Sequence, residues 1–330
     1  MLERRKFIKA YLNVFVPNVV SNLISEYDYN FSGKCEFTMR GLLKSVWCCS
    51  EISKSNCERI IIGSYDTTLK ILNTNNWKCE STFVGHSEPI TCCSVLSNNQ
   101  MVSASFDGTL KIWDVQSGKC ELTLVCSHKR SVNYCLVLPD ERIVSCSDDT
   151  YLKIWNIHTD RQNKCELTLK GHLAYISCCS RLYDGKLVSA SGDGTLKIWN
   201  IQTDEPFVEC ELTLRGHSGS IMCCSVLPDG RVVSASIDKT LKIWNVQTEK
   251  CELTIHNQSG SRWTFLSVFP DNRIIAGSSD GTLKTFNAQT GNCELTLEGH
   301  SESEWIRLCY VLSDGRVVSA SDDKTLKIWS

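Results

Sequence analysis

The segment Leu241-Lys242-Ile243-Trp244-Asn245 recurs in variant form along the chain at intervals of 41 to 45 residues. The position of Trp244 is hydrophobic in every copy, and its seven occurrences are Leu72, Trp113, Trp155, Trp199, Trp244, Phe286 and Trp329. Self-similarity at a period of this length indicates a repeat architecture. One unit is too short to bury a core alone, so the units must stack on one another.

Each unit contains four short apolar segments separated by turn residues. In one unit the segments are 210–214, 221–227, 231–236 and 240–244. Gly216-His217 interrupts the pattern after the first segment, and Pro228-Asp229-Gly230 and Asp238-Lys239 are turn sequences. Because the segments lack a helical period and are joined by tight turns, the unit predicts a four-stranded antiparallel meander.

The fourth segment of one unit is expected to pair with the first segment of the next. Leu241 and Ile243 would then share a face with Cys251 and its alternate neighbours, while Lys242 would lie diagonally across from Glu252. Every unit carries this lysine and this glutamate. We therefore expect cross-strand ion pairs on a solvated sheet face, each contributing about 0.2–1 kcal/mol.

The bulk composition excludes several classes of function. The 35 Lys and Arg residues nearly balance the 37 Asp and Glu residues, so we expect no nucleic-acid partner. No apolar run approaches the length of a membrane span. The basic start, Arg4-Arg5-Lys6, is followed by Asn13 and Pro17 rather than by an uninterrupted apolar core, so a secretory signal is not predicted. We expect an intracellular, cytoplasmic monomer, with the nucleus as the alternative location.

The 20 cysteines suggest a disulfide or metal framework at first sight, but their positions argue against it. Most occupy two repeated slots, one represented by Cys210 and the other by Cys223-Cys224. No C-x-x-C motif occurs in the chain, so the strongest zinc signature is missing. We interpret the cysteines as small buried hydrophobic residues in a reducing compartment, and we predict no cofactor and no metal.

Together, the Gly-His, the Asp of the third turn and the terminal Trp-Asp or Trp-Asn resemble the WD-repeat β-propeller family. The resemblance covers residues 35–330 in seven units. It implies an all-β fold, a seven-bladed propeller of four-stranded antiparallel blades around a central channel. The first strand of each unit would be the outermost strand of the preceding blade. Residues 35–39 would therefore supply the last strand of the seventh blade and close the ring.

The resemblance also implies a buried His-Ser-Asp-Trp tetrad. Five units carry all four residues: His86, Ser103, Asp107, Trp113; His128, Ser145, Asp149, Trp155; His172, Ser189, Asp193, Trp199; His217, Ser234, Asp238, Trp244; and His300, Ser319, Asp323, Trp329. The first unit departs from the pattern with Leu42, Ile62 and Leu72 around Asp66. The sixth has Ala276 and Phe286 around Asp280. We expect these two blades to hold their turns less firmly.

A Ser, a His and an Asp also allow a hydrolase interpretation. Five equivalent copies oppose it, because an enzyme needs one site, and no G-x-S-x-G elbow surrounds any of the serines. The tetrad is instead expected to satisfy buried polar groups. We predict that the protein is not an enzyme and has no catalytic residues.

In propellers of this family, partners often bind at the face beside the tetrad. The resemblance implies exposed positions before each turn Asp, namely Tyr65, Phe106, Asp148, Gly192, Ile237, Ser279 and Asp322. Positions near the start of the innermost strands include Trp47, Asn133, Tyr175, Met222, Arg262, Trp305 and Arg307. We predict a patch that binds a protein or peptide through Trp47, Tyr65, Phe106, Tyr175, Met222, Ile237, Trp305 and Arg307. The alternative is local packing at the channel mouth.

The first 34 residues form a separate helical extension in this interpretation. Apolar residues from Val16 to Tyr27 follow a helical period, and Pro17 suits a first turn. Residues 16–27 resemble the opening helix of an F-box, although the stretch before Cys35 is shorter than a complete F-box. Two functions are therefore considered: a non-catalytic interaction scaffold and, alternatively, a substrate-receptor subunit of a cullin-type ubiquitin ligase.

Overall fold

The computed structural model shows a ring of seven β-sheets, the blades of a propeller. It describes residues 31–330 except 41, 43, 53–57, 98, 125–127, 158–164 and 204. Within those ranges no helix is long and apolar enough to cross a membrane. The F-box-like segment 16–27 and all but the last four residues of the predicted helical extension, 1–34, lie outside the described residues. Residues 31–34, which are described, are not helical.

The strands are numbered along the chain from β1, Cys35–Met39. Blade 1 contains β2 (Val46–Glu51), β3 (Arg59–Ser64), β4 (Leu69–Asn73) and β5 (Cys79–Phe83). Blade 2 contains β6 (Ile90–Val95), β7 (Gln100–Ser105), β8 (Leu110–Asp114) and β9 (Cys120–Leu124). Blade 3 contains β10 (Val132–Val137), β11 (Ile143–Ser147), β12 (Leu152–Trp155) and β13 (Cys165–Lys170), with β17 (Phe207–Glu209) at its edge.

The remaining blades follow the same plan. Blade 4 contains β14 (Ile176–Arg181), β15 (Leu187–Ser191), β16 (Thr195–Trp199) and β18 (Leu212–Arg215). Blade 5 contains β19 (Ile221–Val226), β20 (Val232–Ser236), β21 (Thr240–Asn245) and β22 (Lys250–His256). Blade 6 contains β23 (Trp263–Val268), β24 (Arg273–Ser278), β25 (Leu283–Asn287) and β26 (Cys293–Leu297). Blade 7 contains β27 (Ile306–Val311), β28 (Val317–Ser321), β29 (Leu326–Trp329) and β1.

The predicted meander is confirmed: in each blade four strands pair antiparallel from the channel outward. Turn chemistry explains the tight connections. Gly230, in the Pro-Asp-Gly turn of blade 5, has a φ of 90°, a conformation that glycine adopts at little cost. The innermost strands β2, β6, β10, β14, β19, β23 and β27 each contact the next around the ring, and β27 contacts β2. The apolar faces of neighbouring blades are thereby buried against one another, as in the core around Ile221 and Trp263.

Blade 3 carries a fifth strand that the repeat pattern did not predict. Strand β17 pairs parallel to β13, with Phe207 opposite Thr168. The connection that leaves Trp199 is longer than in the other units, so the chain has length enough to add to a neighbouring blade edge. Lys170 Nζ lies 4.0 Å from the centroid of the exposed Phe207 ring.

The expected ion pair between Lys242 and Glu252 is wrong. Lys242 lies opposite Thr254, and its Nζ donates to Thr254 Oγ1 at 2.9 Å. A register shift between Ile243 and Trp244 marks a bulge. The glutamate is displaced and accepts a hydrogen bond from Asn245 Nδ2 at 2.9 Å. One extra residue changes the alternation of faces, which explains why strict period-two reasoning fails here.

The cysteines divide into two populations. The described ones are all free thiols, and eleven of them are buried, including Cys223 and Cys224 of the innermost strands. The interpretation that all are buried hydrophobic residues is wrong for the outermost strands. Cys35, Cys79, Cys120, Cys251 and Cys293 are exposed. Each of these residues lies one position before the bulge in the outermost strand, where no further strand covers it.

The ring is closed by a strand from the other end of the described chain. Strand β1 pairs antiparallel with β29, with Met39 opposite Leu326. Two backbone bonds extend the closure, from Ser330 N to Lys34 O at 3.0 Å and from Ser32 N to Ser330 O at 3.0 Å. This pairing removes two sheet edges that would otherwise be free to pair with other chains.

Deletion of residues 1–40 should lower the melting temperature sharply and promote aggregation, because it removes β1 and exposes the edge of β29. Deletion of residues 1–30 is the matched control, since it retains the closing strand and the contacts of Ser32 and Lys34. Thermal unfolding of both truncations beside the full chain gives the comparison. Equal melting temperatures for all three proteins would show that β1 does not contribute to closure.

Candidate interaction surface

A chain of buried hydrogen bonds crosses blade 5 from its third strand to its outer loops. Trp244 Nε1 donates to Ser234 Oγ at 2.8 Å, and the same oxygen lies 2.7 Å from His217 Nε2. His217 Nδ1 lies 2.8 Å from Asp238 Oδ2. Asp238 also accepts from Thr240 N and Oγ1 at 2.9 and 2.7 Å. Strand, loop and turn are thereby tied together through one imidazole ring.

Burial and hydrogen bonding set the protonation states of the histidine and the aspartate in this network. Burial lowers the pKa of His217, and the hydrogen bond to Asp238 opposes the shift only in part. Burial alone would raise the pKa of Asp238, but hydrogen bonds from Thr240 and His217 outweigh it, so this pKa lies below its ordinary value. A neutral imidazole that donates from Nδ1 to a carboxylate and accepts the serine proton at Nε2 fits these directions.

The same bonds occur in four other blades. Serine to histidine distances are 2.7 to 2.8 Å, and histidine to aspartate distances are 2.7 to 3.0 Å. Each tryptophan donates to its serine, as Trp113 does to Ser103 at 2.8 Å. We call the end of the ring that holds these histidine loops and aspartate turns the tetrad-side face.

Blades 1 and 6 hold the turn aspartate by other means. In blade 1, Lys70 Nζ donates to Asp66 Oδ2 at 2.9 Å. In blade 6, Ser259 Oγ donates to Asp280 Oδ2 at 2.6 Å, and the pKa of Asp280 falls to about 2 because this bond and one from Thr282 outweigh its burial. Both turns therefore keep polar anchors. What these blades lack is the rest of the tetrad, the hydrogen bonds that connect the turn aspartate through histidine and serine to tryptophan in the sheet.

Three aromatic side chains predicted to bind a partner form one cluster on the tetrad-side face. Trp47 lies between Tyr65 of its own blade and Phe106 of blade 2, with ring centroids 5.3 and 5.4 Å apart. Both contacts are edge-to-face, which is a favourable geometry for aromatic pairs. Tyr65 is 44% exposed, and Lys44 Nζ lies 5.8 Å from its ring centroid. We call Trp47, Tyr65 and Phe106 the aromatic cluster.

Arg307 connects the aromatic cluster to Trp305. Its guanidinium carbon lies 5.3 Å from the Trp47 ring centroid and 4.9 Å from that of Trp305. Its Nη2 lies 2.6 Å from Asp322 Oδ2, and Ser45 Oγ donates to Asp322 Oδ1 at 3.0 Å. Arg307 is therefore held by a carboxylate and stacked on two indoles, which fixes the orientation of both rings.

The other predicted residues lie on blades 4 and 5. Tyr175 Oη lies 3.9 Å from Met222 Sδ. Gly192 is required beneath Tyr175, since a Cβ there would lie 2.4 Å from the tyrosine ring. Ile237 packs over Gly219 in the same way, with 2.9 Å to such a Cβ. These residues form a second group, separate from the aromatic cluster. The two groups meet at the central cavity of about 300 Å³, which is lined by Met222 of one and Trp47 of the other.

Comparison with known families decides the identity of the repeat. The family model described as WD domain, G-beta repeat (WD40), matches residues 77–114, 118–156, 163–200, 208–245 and 291–330, more than half of the chain. The chain belongs to the WD-repeat family. The five matches coincide with the five blades that carry the complete tetrad. A search of curated protein sequences gave no significant match.

WD-repeat propellers are generally protein-interaction scaffolds and are typically not catalytic. The expected functional feature of such a propeller is therefore an exposed surface and not a catalytic side chain. Sequence reasoning missed Lys44 and Ser45, which contact the aromatic cluster and Asp322. The first WD unit lacks the Gly-His dipeptide that occurs at this loop in four other units, so no pattern pointed to them. The contact of Ser45 with Asp322 exists because the closed ring brings blade 7 beside blade 1, whereas Lys44 contacts Tyr65 of blade 1 itself.

Loss of the tetrad serine should destabilise blade 5. Ser234→Ala removes the acceptor of Trp244 Nε1 and the partner of His217 Nε2, so we expect a loss of about 1–3 kcal/mol in the free energy of unfolding. Ser234→Ala combined with Trp244→Phe copies the pair found in blade 6 and should recover part of the loss. Denaturant titration measures the three proteins, with the exposed Ser218→Ala as control. Equal values for Ser234→Ala and the control would contradict the assignment.

Stability should fall as the pH falls below about 6.5, the ordinary pKa of histidine. Burial lowers the pKa of His172, His217 and His300, so the unfolded chain binds more protons than the folded one in this range. A second loss should begin near the ordinary carboxylate pKa of about 4, because the tetrad aspartates have lowered pKa values.

The free energy of unfolding at pH 7.5 and at pH 5.5 tests this sign. His217→Gln should reduce the difference between the two values, whereas His256→Gln, at an exposed position, should leave it unchanged. Equal stability of the wild-type protein at both pH values would refute the prediction.

Proposed function

We propose that the protein is a non-catalytic scaffold that binds a peptide segment of a protein partner on its tetrad-side face, with the aromatic cluster as the main anchor. The observation that supports the proposal most directly is the arrangement around Trp47. Three rings from two blades meet at the channel mouth, and Arg307, from a third blade, stacks against one of them. Aromatic and arginine side chains in such clusters dominate the affinity of many protein interfaces.

The geometry of the cluster favours binding over packing alone. Tyr65 is one of four large hydrophobic side chains that are exposed among the described residues. Trp47 Nε1 is enclosed and has no hydrogen-bond partner in the part of the chain that the structure describes. A rigid aromatic platform loses little conformational entropy when a partner binds, because its rings are already held by neighbours.

The tetrads support a scaffold rather than a hydrolase. The serine hydroxyl of each tetrad accepts a hydrogen bond from tryptophan, and the five serines, Ser103, Ser145, Ser189, Ser234 and Ser319, are 0% exposed. A nucleophile must reach its substrate, and these oxygens are closed off by the blade. The imidazole and the carboxylate serve the fold instead.

Replacement of Trp47 and Phe106 by alanine should abolish the main interaction. Loss of one such anchor often costs 2 kcal/mol or more, which is about thirtyfold in affinity. Partners captured from lysate by the wild-type protein are compared with those captured by the double variant. Phe207→Ala is the matched control, since it removes an exposed ring at the outer edge of blade 3. Melting temperatures must first show that each variant is folded.

Three outcomes are distinguishable. Loss of the partner in the double variant and retention in Phe207→Ala would support the tetrad-side face. Equal loss in both would indicate a general effect of hydrophobic surface and would contradict the proposal. Retention in the double variant, combined with loss on deletion of residues 1–30, would favour the ubiquitin-ligase receptor hypothesis.

A further inference from the structure

One position at the end of the innermost strand breaks the repeat in two blades only. It lies on the face opposite the tetrads, one residue before the turn into the second strand. Five blades place valine there: Val95, Val137, Val226, Val268 and Val311. Blade 1 has Glu51 and blade 4 has Arg181. A charged residue in an otherwise apolar slot needs a physical reason.

The reason for Glu51 is visible in the fold. The residue is only 8% exposed, and its Oε1 accepts hydrogen bonds from Ser313 N and Ser313 Oγ, each at 2.9 Å. Ser313 belongs to the turn of blade 7, the preceding blade in the ring. The buried carboxylate therefore joins two blades and is satisfied.

Arg181 occupies the corresponding place between blades 3 and 4 but lacks such a partner. Its Nη1 is enclosed and has no hydrogen-bond partner in the part of the chain that the structure describes. Arginine remains protonated in proteins. An enclosed guanidinium nitrogen without an acceptor is costly, so this position favours an acceptor supplied by water, an ion or a ligand.

A cavity of about 170 Å³ adjoins Arg181 and is lined also by Arg142, Asp140, Gly185 and Gln202. Two hydrogen-bond donors lie close to Gly185. A Cβ atom added to this glycine would lie 2.9 Å from Gln202 Nε2 and 3.9 Å from Arg181 Nη2. Arg142 Nε pairs with Asp140 Oδ2 at 2.8 Å. That pair is neutral as a whole, so the charged groups lining the cavity carry one uncompensated positive charge, that of Arg181.

We propose that this cavity binds a peptide carboxylate, supplied by a chain terminus or by an Asp or Glu side chain. A carboxylate matches the single positive charge, and its two oxygens fit the planar guanidinium fork. The Gln202 amide supplies a further donor. The site lies at the end of the ring opposite the aromatic cluster, so it is a second docking point that is independent of the first.

The melting temperature of the full chain in acetate, compared with chloride at equal ionic strength, tests the site. A ligand that binds only the folded state raises this temperature. Arg181→Val installs the residue that five other blades carry at this position, so it removes the guanidinium without a foreign side chain. We expect the acetate shift in the wild-type protein, its loss in Arg181→Val and its reduction in Arg181→Lys. Arg215→Gln, at an exposed position outside the cavity, should retain the full shift.

Further arms identify the source and the chemistry of the ligand. N-acetylglycine mimics a chain terminus, and N-acetylaspartic acid α-amide mimics an acidic side chain. A larger shift with either one assigns the source of the carboxylate. An equal acetate shift in Arg181→Val would overturn the proposal. A larger shift with inorganic phosphate than with acetate would overturn the carboxylate assignment. No shift with any anion would mean that water alone satisfies Arg181, and the proposal would be wrong.

Discussion

The hydrogen bond from tryptophan to serine within a blade is the interaction on which the tetrad-side face depends. In blade 5 it joins Trp244 of the third strand to Ser234 of the second, and His217 carries the connection on to Asp238. The indole is 1% exposed, so an unpaired N–H there would be costly. Because the chain of bonds ends at the turn aspartate, it also fixes the residue just before that aspartate. Phe106 and Ile237 stand at this position in their blades.

The aromatic cluster is centred on a blade that lacks the tetrad. Tyr65 precedes Asp66, which is anchored by Lys70 rather than by a histidine. Trp47 compensates for the missing connection, since it packs against Tyr65 and against Phe106 of the neighbouring blade. Arg307 adds a contact from blade 7 across the closure of the ring. The orientation of the cluster is therefore set by contacts among three blades, and it depends on β1 holding blade 7 in place.

The repeat in the sequence was sufficient to predict the number of blades, the antiparallel meander and the family, because buried positions such as Ile243 recur at a constant interval. It was not sufficient for features that depend on a single inserted residue. The bulge between Ile243 and Trp244 brings Cys251 opposite Trp244 and displaces Glu252 from Lys242, and alternation along a strand carries no sign of such a shift. The replacement anchor Ser259 was missed because a serine in a loop resembles any other turn residue.

The sequence predicts where each proposed binding residue lies within its blade, since each stands at a repeated position. It does not predict their contacts, because these arise between blades that are distant in the chain. Arg307 illustrates the difference: its pairing with Asp322 lies within blade 7, but its stacking on Trp47 exists only because the ring closes. Sequence reasoning could name the side chains that surround the channel mouth, whereas the contacts among them arise only in the closed ring.

In several blades, charged side chains pair with one another within the turns. On the face opposite the tetrads, turns of successive blades pair an aspartate with the arginine two residues later, as in Asp229 with Arg231 at 2.7 Å and Asp271 with Arg273 at 2.8 Å. Such pairs keep the chain close to neutral and leave little long-range field to steer a ligand. Under the two binding proposals, specificity comes from the exceptions to the repeat. Trp47 and Arg181 are two of these exceptions. Each has an enclosed N–H without an acceptor in the described part of the chain, which is costly unless a partner or water satisfies it.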